Sequence, residues 1–180
     1  MSSDSSFKEN RGMSNFYDEI KLKMEELMKE GVSVNSRDEC NNTLLHKTSW
    51  YGYQEMSKFL IDNSADVNAR DDFGNTPLLK ASRNGHLEMA KLLIDNGADV
   101  NVVNCFNVTP LYKASENRHL KMVKLLLDNG ADANVADCWG DTPLIRASKN
   151  GFFEIVWVLL DKGADSSLMN KDGFKAINLA

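Results

Sequence analysis

Apolar residues recur along the chain with the spacing of short amphipathic helices. The apolar-rich segment HLEMAKLLIDN (residues 86–96) is followed by Gly97, whose missing Cβ permits the left-handed backbone that ends a helix. The preceding segment PLLKAS begins at Pro77, directly after Thr76. Threonine is favoured at the N-cap of a helix and proline at its first residue, so a shorter helix is predicted to begin there. The pattern therefore predicts two helices joined by the short loop RNG.

The same pair of helices is predicted again at intervals of 33 residues. Four threonines mark the interval: Thr43, Thr76, Thr109 and Thr142. Three consecutive turns carry an aromatic residue at one position: Phe73, Phe106 and Trp139. Asn41 and Asn107 occupy the turn position that other repeats fill with glycine, and since asparagine tolerates a positive φ, we expect a bent backbone there. A fixed period of this length is the signature of a repeat protein.

The period divides the chain into units. Residues 1–14 are polar and rich in serine, and we expect them to be disordered. A shortened first unit, the cap, occupies 15–37, and its helix is predicted from Asn15 to Glu30. The apolar face of that helix consists of Phe16, Ile20, Met24, Leu27 and Met28. The remaining units are the full repeats 38–70, 71–103, 104–136 and 137–169 and the partial repeat 170–180.

Because the partial repeat stops after one helix, part of the fourth repeat's flank is expected to lie open. Three alternatives could cover this flank: further chain, a partner, or the chain's own short cap. Trp157 lies on the second helix of that repeat, in the outer position that Lys91 and Lys124 occupy in earlier repeats. It is expected either to pack against the shortened last unit or to contact further chain or a second molecule.

The repeated motifs suggest a fold. TPL at the start of the first helix, GHLE between the helices and LLIDNGADVN at the end of the unit resemble the ankyrin repeat, over residues 33–180. The local departures are Leu44 for proline, Arg118 for the loop glycine, and Leu79, Tyr112 and Ile145 for the family's usual histidine. The resemblance implies an all-α solenoid of stacked antiparallel helix pairs with projecting β-hairpin fingers. A single pair cannot bury its apolar face, so the stability of such a stack accrues from repeat to repeat.

Charge and composition exclude several classes of protein. The net charge of −5, from 26 acidic and 21 basic residues, argues against a nucleic-acid binder, because phosphate binding requires a basic surface. No apolar run approaches the ~18 residues of a membrane span, and the first residues lack the apolar core of a secretory signal. Three cysteines without a CxxC motif fit a reducing compartment. We therefore expect an intracellular protein, cytoplasmic or nuclear.

No motif for catalysis or metal binding occurs. The three histidines, His46, His86 and His119, lie inside repeats, and there is no P-loop, GxGxxG or HExxH motif. Cys105 and Cys138 share one position in successive repeats, but stacked helices lie about 8–10 Å apart, too far for a disulfide or a shared zinc ion. We expect no enzyme activity, no cofactor, no metal ion and three free thiols.

The first helices present a polar face that is a candidate binding surface. Basic residues align there at the 33-residue interval: Lys47, Lys80, Lys113 and Arg146. Positions three and four residues further on share that helix face, whereas Leu78 and Ala81 point toward the core. The resemblance implies that this face and the finger tips form a concave binding surface. The predicted partner-binding residues are Phe73, Phe106, Trp139, Lys47, Trp50, Tyr51, Lys80, Arg83, Lys113, Arg146 and Lys149.

Two alternatives stay open for these residues. Duplicated repeats can retain a solvated lysine that has no function, and each turn aromatic can cover the hairpin of the next repeat instead of binding a partner. An exposed apolar row favours an interaction site over the first alternative. The aligned aspartates of the loops belong to the repeat motif and are expected to be structural: Asp66, Asp99, Asp132 and Asp165.

The predicted function is protein binding without catalysis, by a monomeric scaffold or adaptor whose partner carries apolar anchors flanked by acidic residues. One alternative is an inhibitor that masks a kinase or a transcription factor. Another is the targeting arm of a larger enzyme whose catalytic domain lies beyond residue 180. The resemblance also implies hydroxylation of the asparagines that have a leucine eight residues earlier: Asn68, Asn101 and Asn134.

Overall fold

The computed structural model describes residues 22–26 and 28–176. Residues 22–26 and 28–29 are helical (α1), and Gly31 follows with a φ of +91°, the conformation that ends a helix. The described part of the cap therefore agrees with the predicted helix. The disorder predicted for 1–14 and the start of the cap helix at Asn15 lie outside the described residues.

Eight further helices follow in the described residues, arranged as four pairs. The pairs are α2 (Leu44–Tyr51) with α3 (Gln54–Asp62), α4 (Pro77–Asn84) with α5 (Leu87–Asp95), α6 (Pro110–Glu116) with α7 (Leu120–Asp128), and α8 (Pro143–Lys149) with α9 (Phe153–Asp161). Each inner helix (α2, α4, α6, α8) contacts the next inner helix, and each outer helix (α3, α5, α7, α9) contacts the next outer helix. The described chain is an all-α solenoid, which confirms the predicted fold class.

Threonine caps begin the inner helices. The side-chain oxygens of Thr76, Thr109 and Thr142 accept hydrogen bonds from the N–H groups three residues further on, at 3.3, 3.1 and 3.2 Å. A proline follows each of them. Helix α2 begins without a proline, and there Nδ1 of His46 accepts a hydrogen bond from the N–H of Thr43 at 3.1 Å. The histidine thus stabilises the start of the inner helix that departs from the motif.

Leucines at repeating positions form one continuous core between the inner and outer helices. The outer helices contribute Leu60, Leu93, Leu126 and Leu159, and the inner helices contribute Leu45, Leu78, Leu111 and Leu144. None of these side chains is more than 1% exposed. Because each repeat buries the same positions, the hydrophobic contribution is distributed along the whole stack.

The predicted β-hairpin fingers are not confirmed. The part of the chain that the structure describes contains two isolated β-bridges, Arg37–Thr43 and Met169–Lys175, and no strand. In the second repeat, Asp71 closes the turn: its Oδ1 accepts hydrogen bonds from the N–H groups of Phe73 and Asn75, at 3.0 and 2.8 Å. The backbone adds one hydrogen bond across this turn, from the N–H of Asp71 to the carbonyl of Asn75 at 3.0 Å, and a single bond does not make a ladder.

The backbone of the turns bends as predicted at the two asparagines. Asn41 and Asn107 both have a φ of +58°, close to the value of +74° for Gly74 in the second repeat. Arg118, which replaces the loop glycine, adopts +62°. The bend is therefore retained where the glycine is not.

Candidate functional site

The turns present a row of exposed aromatic side chains. This aromatic row consists of Phe73, Phe106 and Trp139, whose side chains are 57%, 44% and 57% exposed. The rings of Phe106 and Trp139 lie nearly parallel, with an interplanar angle of 8° and centroids 6.4 Å apart. The ring of Trp139 is thus in contact with the aromatic residue of the preceding repeat.

Backbone hydrogen bonds fix the spacing of the aromatic row. The N–H of Cys105 donates to the carbonyl of Phe73, and the N–H of Cys138 donates to the carbonyl of Phe106, both at 2.9 Å. The turns of the first and second full repeats are joined in the same way, at 3.2 Å. The turn of the fourth repeat is joined to the residues that follow that repeat, at 3.0 Å. Because every turn is attached to the next, the aromatic side chains project from a rigid base.

Two grooves lie between the aromatic row and the inner helices. The larger has a volume of about 270 Å³, and its walls include Phe73 and Phe106 on the turns and Trp50, Lys80 and Arg83 on the inner helices. The smaller has a volume of about 160 Å³ and lies between Phe106, Trp139, Tyr112 and Arg146. Phe106 contributes to both grooves, which therefore form a continuous surface.

The structure brings most of the predicted binding residues together along these grooves. The lining includes Trp50, Phe73, Lys80, Arg83, Phe106, Lys113, Trp139 and Arg146. Lys47, Tyr51 and Lys149 do not line either groove. Tyr51 instead stacks on Tyr53 beyond the end of α2, with ring centroids 5.5 Å apart.

The aligned basic residues are paired with acidic residues of the protein itself. Lys80 Nζ lies 2.7 Å from the Oδ2 of Asp71, the residue that closes the turn of the same repeat, and the first repeat has the equivalent pair at 2.9 Å. In the third repeat Asn104 stands in place of the aspartate, and Lys113 pairs instead with Glu116 at 2.7 Å. Ion pairing within the protein is therefore a structural reason for a lysine at this position. The two alternatives that the sequence left open, a solvated lysine without function and a binding site, did not include it.

The pair in the second repeat is largely withdrawn from water. The side chain of Asp71 is 3% exposed and that of Lys80 is 18% exposed. Burial alone would raise the pKa of Asp71, but hydrogen bonds from Lys80 and Asn75 hold that pKa below its usual value. The carboxylate therefore stays charged and attaches the turn to the inner helix.

A tyrosine connects the third and fourth repeats. The hydroxyl of Tyr112 donates to Oδ2 of Asp137 and accepts a hydrogen bond from Nε of Arg146, both at 2.7 Å. The guanidinium carbon of Arg146 also lies 5.5 Å from the centroid of the Tyr112 ring. Burial, together with the hydrogen bond to Asp137, raises the pKa of Tyr112 well above its usual value, so the hydroxyl stays protonated.

The acidic partners were missed in the sequence, although a signal for them exists. An aspartate stands nine residues before the aligned basic residue in three of the four repeats, where Asp38, Asp71 and Asp137 precede Lys47, Lys80 and Arg146. Nine residues correspond to no helical or strand period, so periodicity does not reveal the pair. The contact forms because the turn folds back onto the inner helix of its own repeat.

The three histidines connect neighbouring repeats. His46 Nε2 donates to the carbonyl of Asn75 at 3.0 Å. His86 Nε2 donates to the carbonyl of Trp50 at 2.9 Å, and His119 Nε2 donates to that of Arg83 at 3.0 Å. Burial lowers the pKa of His46, which favours the neutral ring. These rings have a structural role in the stack.

Cysteines and acidic residues form no metal cluster in the residues that the structure describes. Cys40, Cys105 and Cys138 are free thiols. Cys40 and Cys105 are exposed on the turns, and Cys138 is half-buried.

The asparagines proposed for hydroxylation hold successive loops together. The side-chain oxygens of Asn68, Asn101 and Asn134 accept hydrogen bonds from the N–H groups of the aspartates in the next loop, at 2.9, 2.8 and 2.8 Å. Those loop aspartates accept in turn from N–H groups two residues further on. Both sets of residues thus have a structural role, and the hydroxylation itself stays a prediction.

Trp157 is 72% exposed on α9, near Phe153, which is 71% exposed, and Leu160, which is 44% exposed. The described residues of the last unit therefore do not cover Trp157. The flank that was expected to lie open is open in the described part of the chain.

The stacked helix pairs define a helical repeat protein. A row of aromatic residues and two grooves follow its inner helices. A family model of ankyrin repeats (3 copies) matches residues 21–104 and 98–170, and the chain belongs to the ankyrin-repeat family. Ankyrin repeats generally mediate protein–protein interactions and are typically non-catalytic. No curated protein matches the sequence. Within the described residues, no helix is both long enough and apolar enough to cross a membrane.

Proposed function

We propose that the chain is a scaffold or adaptor that binds a segment of another protein along its concave face, with Phe73, Phe106 and Trp139 as apolar anchors. The observation that carries the proposal is the exposure of the aromatic row beside two grooves. Exposed apolar residues that form a contiguous patch mark interaction sites, and a few aromatic and arginine residues dominate the free energy of binding at such sites.

The rigidity of the site supports this role. The aromatic residues project from turns that are joined to one another by backbone hydrogen bonds. The polar residues beneath them are held by ion pairs and by the Tyr112 network. A surface that is already ordered loses little conformational entropy when a partner binds. We place this function inside the cell, because the three thiols are free, as cysteines are in a reducing compartment.

Affinity capture from cells with matched variants tests the proposal. The test variant is Phe106→Ala combined with Trp139→Ala, and the control is Phe153→Ala, which removes an even more exposed aromatic ring from α9 outside both grooves. We expect the wild type and the control to capture the same partner, identified by mass spectrometry, and the double variant to lose it. A partner that the double variant retains in full would contradict a binding site on this face.

A further inference from the structure

We infer that Arg83 binds a carboxylate of the partner, so that the bound segment places an aspartate or glutamate side chain at the Trp50–Arg83 corner of the larger groove. This inference rests on the proposed function, and it identifies which of the basic residues on the face recognises an acidic group. The corner is defined by the indole ring of Trp50 and the guanidinium group of Arg83, both of which line that groove.

The first observation is that Arg83 differs from the other basic residues predicted for this face. Lys47, Lys80, Lys113, Arg146 and Lys149 each have an acidic partner at 2.7 to 3.2 Å. Arg83 is exposed and has no such partner in the described part of the chain. The paired residues are already neutralised, and an acidic partner group would have to compete with the protein's own carboxylates to reach them. Arg83 is the residue whose charge is available.

The second observation is the geometry of the corner. The guanidinium carbon of Arg83 lies 5.3 Å from the centroid of the Trp50 ring, within the range of a cation–π contact. In the described residues Arg83 accepts a hydrogen bond from His119 with its carbonyl oxygen, and its guanidinium N–H donors are available to a ligand. Two of these donors match the spacing of the two carboxylate oxygens, which permits a bidentate, charge-assisted interaction.

Trp50 is itself held in place. Its carbonyl oxygen accepts hydrogen bonds from Nδ2 of Asn84 at 2.8 Å and from Nε2 of His86 at 2.9 Å. Both donors come from the second repeat, so the backbone that carries the indole is fixed to the backbone that carries Arg83. The corner therefore retains its position relative to the aromatic row when a ligand binds.

The opposite wall of the same groove supplies the second part of the recognition. Phe73 and Phe106 line that wall, so a segment that places an apolar side chain against these rings can extend a carboxylate to Arg83. One uncompensated positive charge matches a carboxylate, whereas a phosphate group with a charge near −2 would remain partly unpaired. The smaller groove lies beside the paired Arg146 and Glu116, and we expect no acidic group there. The inferred partner segment is thus acidic on the Trp50 side of its apolar anchor.

A library of short random peptides, displayed on phage and selected on the full chain, tests this inference without a known partner. We expect the enriched peptides to share an apolar residue and, at a fixed spacing from it, an aspartate or glutamate. A parallel selection on Arg83→Glu is expected to replace the acidic residue with lysine or arginine. Lys124→Glu is the matched control, because Lys124 is exposed on the outer helix α7, and its selection is expected to resemble that of the wild type.

An enriched peptide then allows a double-mutant cycle. Replacing its acidic residue by the corresponding amide is expected to weaken binding to the wild type about tenfold or more, and to leave binding to Arg83→Ala nearly unchanged. The melting temperature of Arg83→Ala is expected to equal that of the wild type, since the side chain is exposed and outside the ion pairs.

The outcomes separate this inference from the proposed function. Peptides that need Phe106 for binding but show no acidic preference, or that keep their acidic residue on Arg83→Glu, would overturn the role of Arg83 and leave the binding face intact. If no selected peptide loses affinity on Phe106→Ala, the proposed binding face is wrong, and the inference falls with it.

Discussion

At the residue scale, the side chains that align between repeats divide into two groups. The aspartates and lysines of the first two repeats, of which Asp71 and Lys80 are the more buried pair, face each other and attach the turn to the inner helix. The aromatic residues of the turns stay largely exposed, although Phe106 and Trp139 stack on each other. The alignment of side chains at 33-residue intervals therefore has two causes, internal ion pairing and an exposed aromatic row. Only the aromatic row indicates a ligand. Substitutions in the ion pairs are therefore expected to change the stability of the protein. Substitutions in the aromatic row are expected to change the binding of a partner.

The charge of Asp71 gives a pH-dependent prediction. Its folded pKa is held below the usual 3.8, so the stabilisation is fully present above pH 3.8 and is lost as the pH falls through the lower folded value. We expect Asp71→Asn to lower the free energy of unfolding by about 1–2 kcal/mol at neutral pH, and the difference from wild type to shrink below pH 3.8. Asparagine is a suitable substitute because Asn104 occupies the same position in the third repeat.

Urea unfolding of both proteins at several pH values measures this difference. Asp95→Asn, which removes an exposed carboxylate that forms no ion pair in the described residues, is the control and is expected to change stability by less than about 0.5 kcal/mol. A difference between wild type and Asp71→Asn that grows toward low pH would show that the ion pair does not stabilise the turn.

The hydroxyl of Tyr112 gives a second residue-scale prediction. Tyr112→Phe removes the group that donates to Asp137 and accepts from Arg146, while the ring stays in the core. We expect a loss of about 1–2 kcal/mol, because a buried carboxylate loses a donor. Tyr51→Phe, at an exposed ring, is the control and is expected to be neutral within about 0.5 kcal/mol. Equal unfolding midpoints for Tyr112→Phe and wild type would contradict the assigned role of the network.

At the element scale, the helices and the bends of the turns could be predicted from the sequence, whereas the hydrogen bonding of the turns could not. Threonine caps, prolines at the first position and residues with positive φ act within a few residues, so a local pattern such as Thr76–Pro77 is sufficient to place a helix start. The turns depend on which group satisfies their N–H donors. Asp71 does so with a side-chain oxygen, and a sequence pattern does not distinguish this from a hairpin ladder. The aromatic row was found because its members share one position, whereas the grooves beside it required the packing of two neighbouring repeats.

The assignment of helix caps and core positions is tested by comparing two variants in the third repeat. Thr109→Ala is expected to cost about 1 kcal/mol, since it removes the acceptor for the N–H of Tyr112. Leu126→Ala is expected to cost more, about 2–5 kcal/mol, because that side chain is completely buried and its truncation leaves a cavity. Thermal melts of the two proteins provide the ranking. The reverse order would mean that the buried face of the outer helix is wrongly assigned.

At the scale of the whole molecule, the stack converts one repeated unit into a continuous surface. Each inner helix contacts the next, so the aromatic row and both grooves depend on the stacking of at least three repeats. The core leucines determine whether the stack forms, and we propose that the exposed rings determine what it binds. Stability and recognition would then rest on different residues of one solenoid. This separation is the central claim, and it predicts that binding can be removed without unfolding the protein.

The substitution Trp139→Ala tests that claim most directly, in a calorimetric titration with the partner captured by the wild-type chain, accompanied by a thermal melt. Because the ring is 57% exposed and lies beside the smaller groove, we predict a melting temperature near that of the wild type. The affinity is predicted to fall by about 2 kcal/mol or more, which is roughly 30-fold. A Trp139→Ala protein that unfolds at a lower temperature but binds the partner with full affinity would contradict the account.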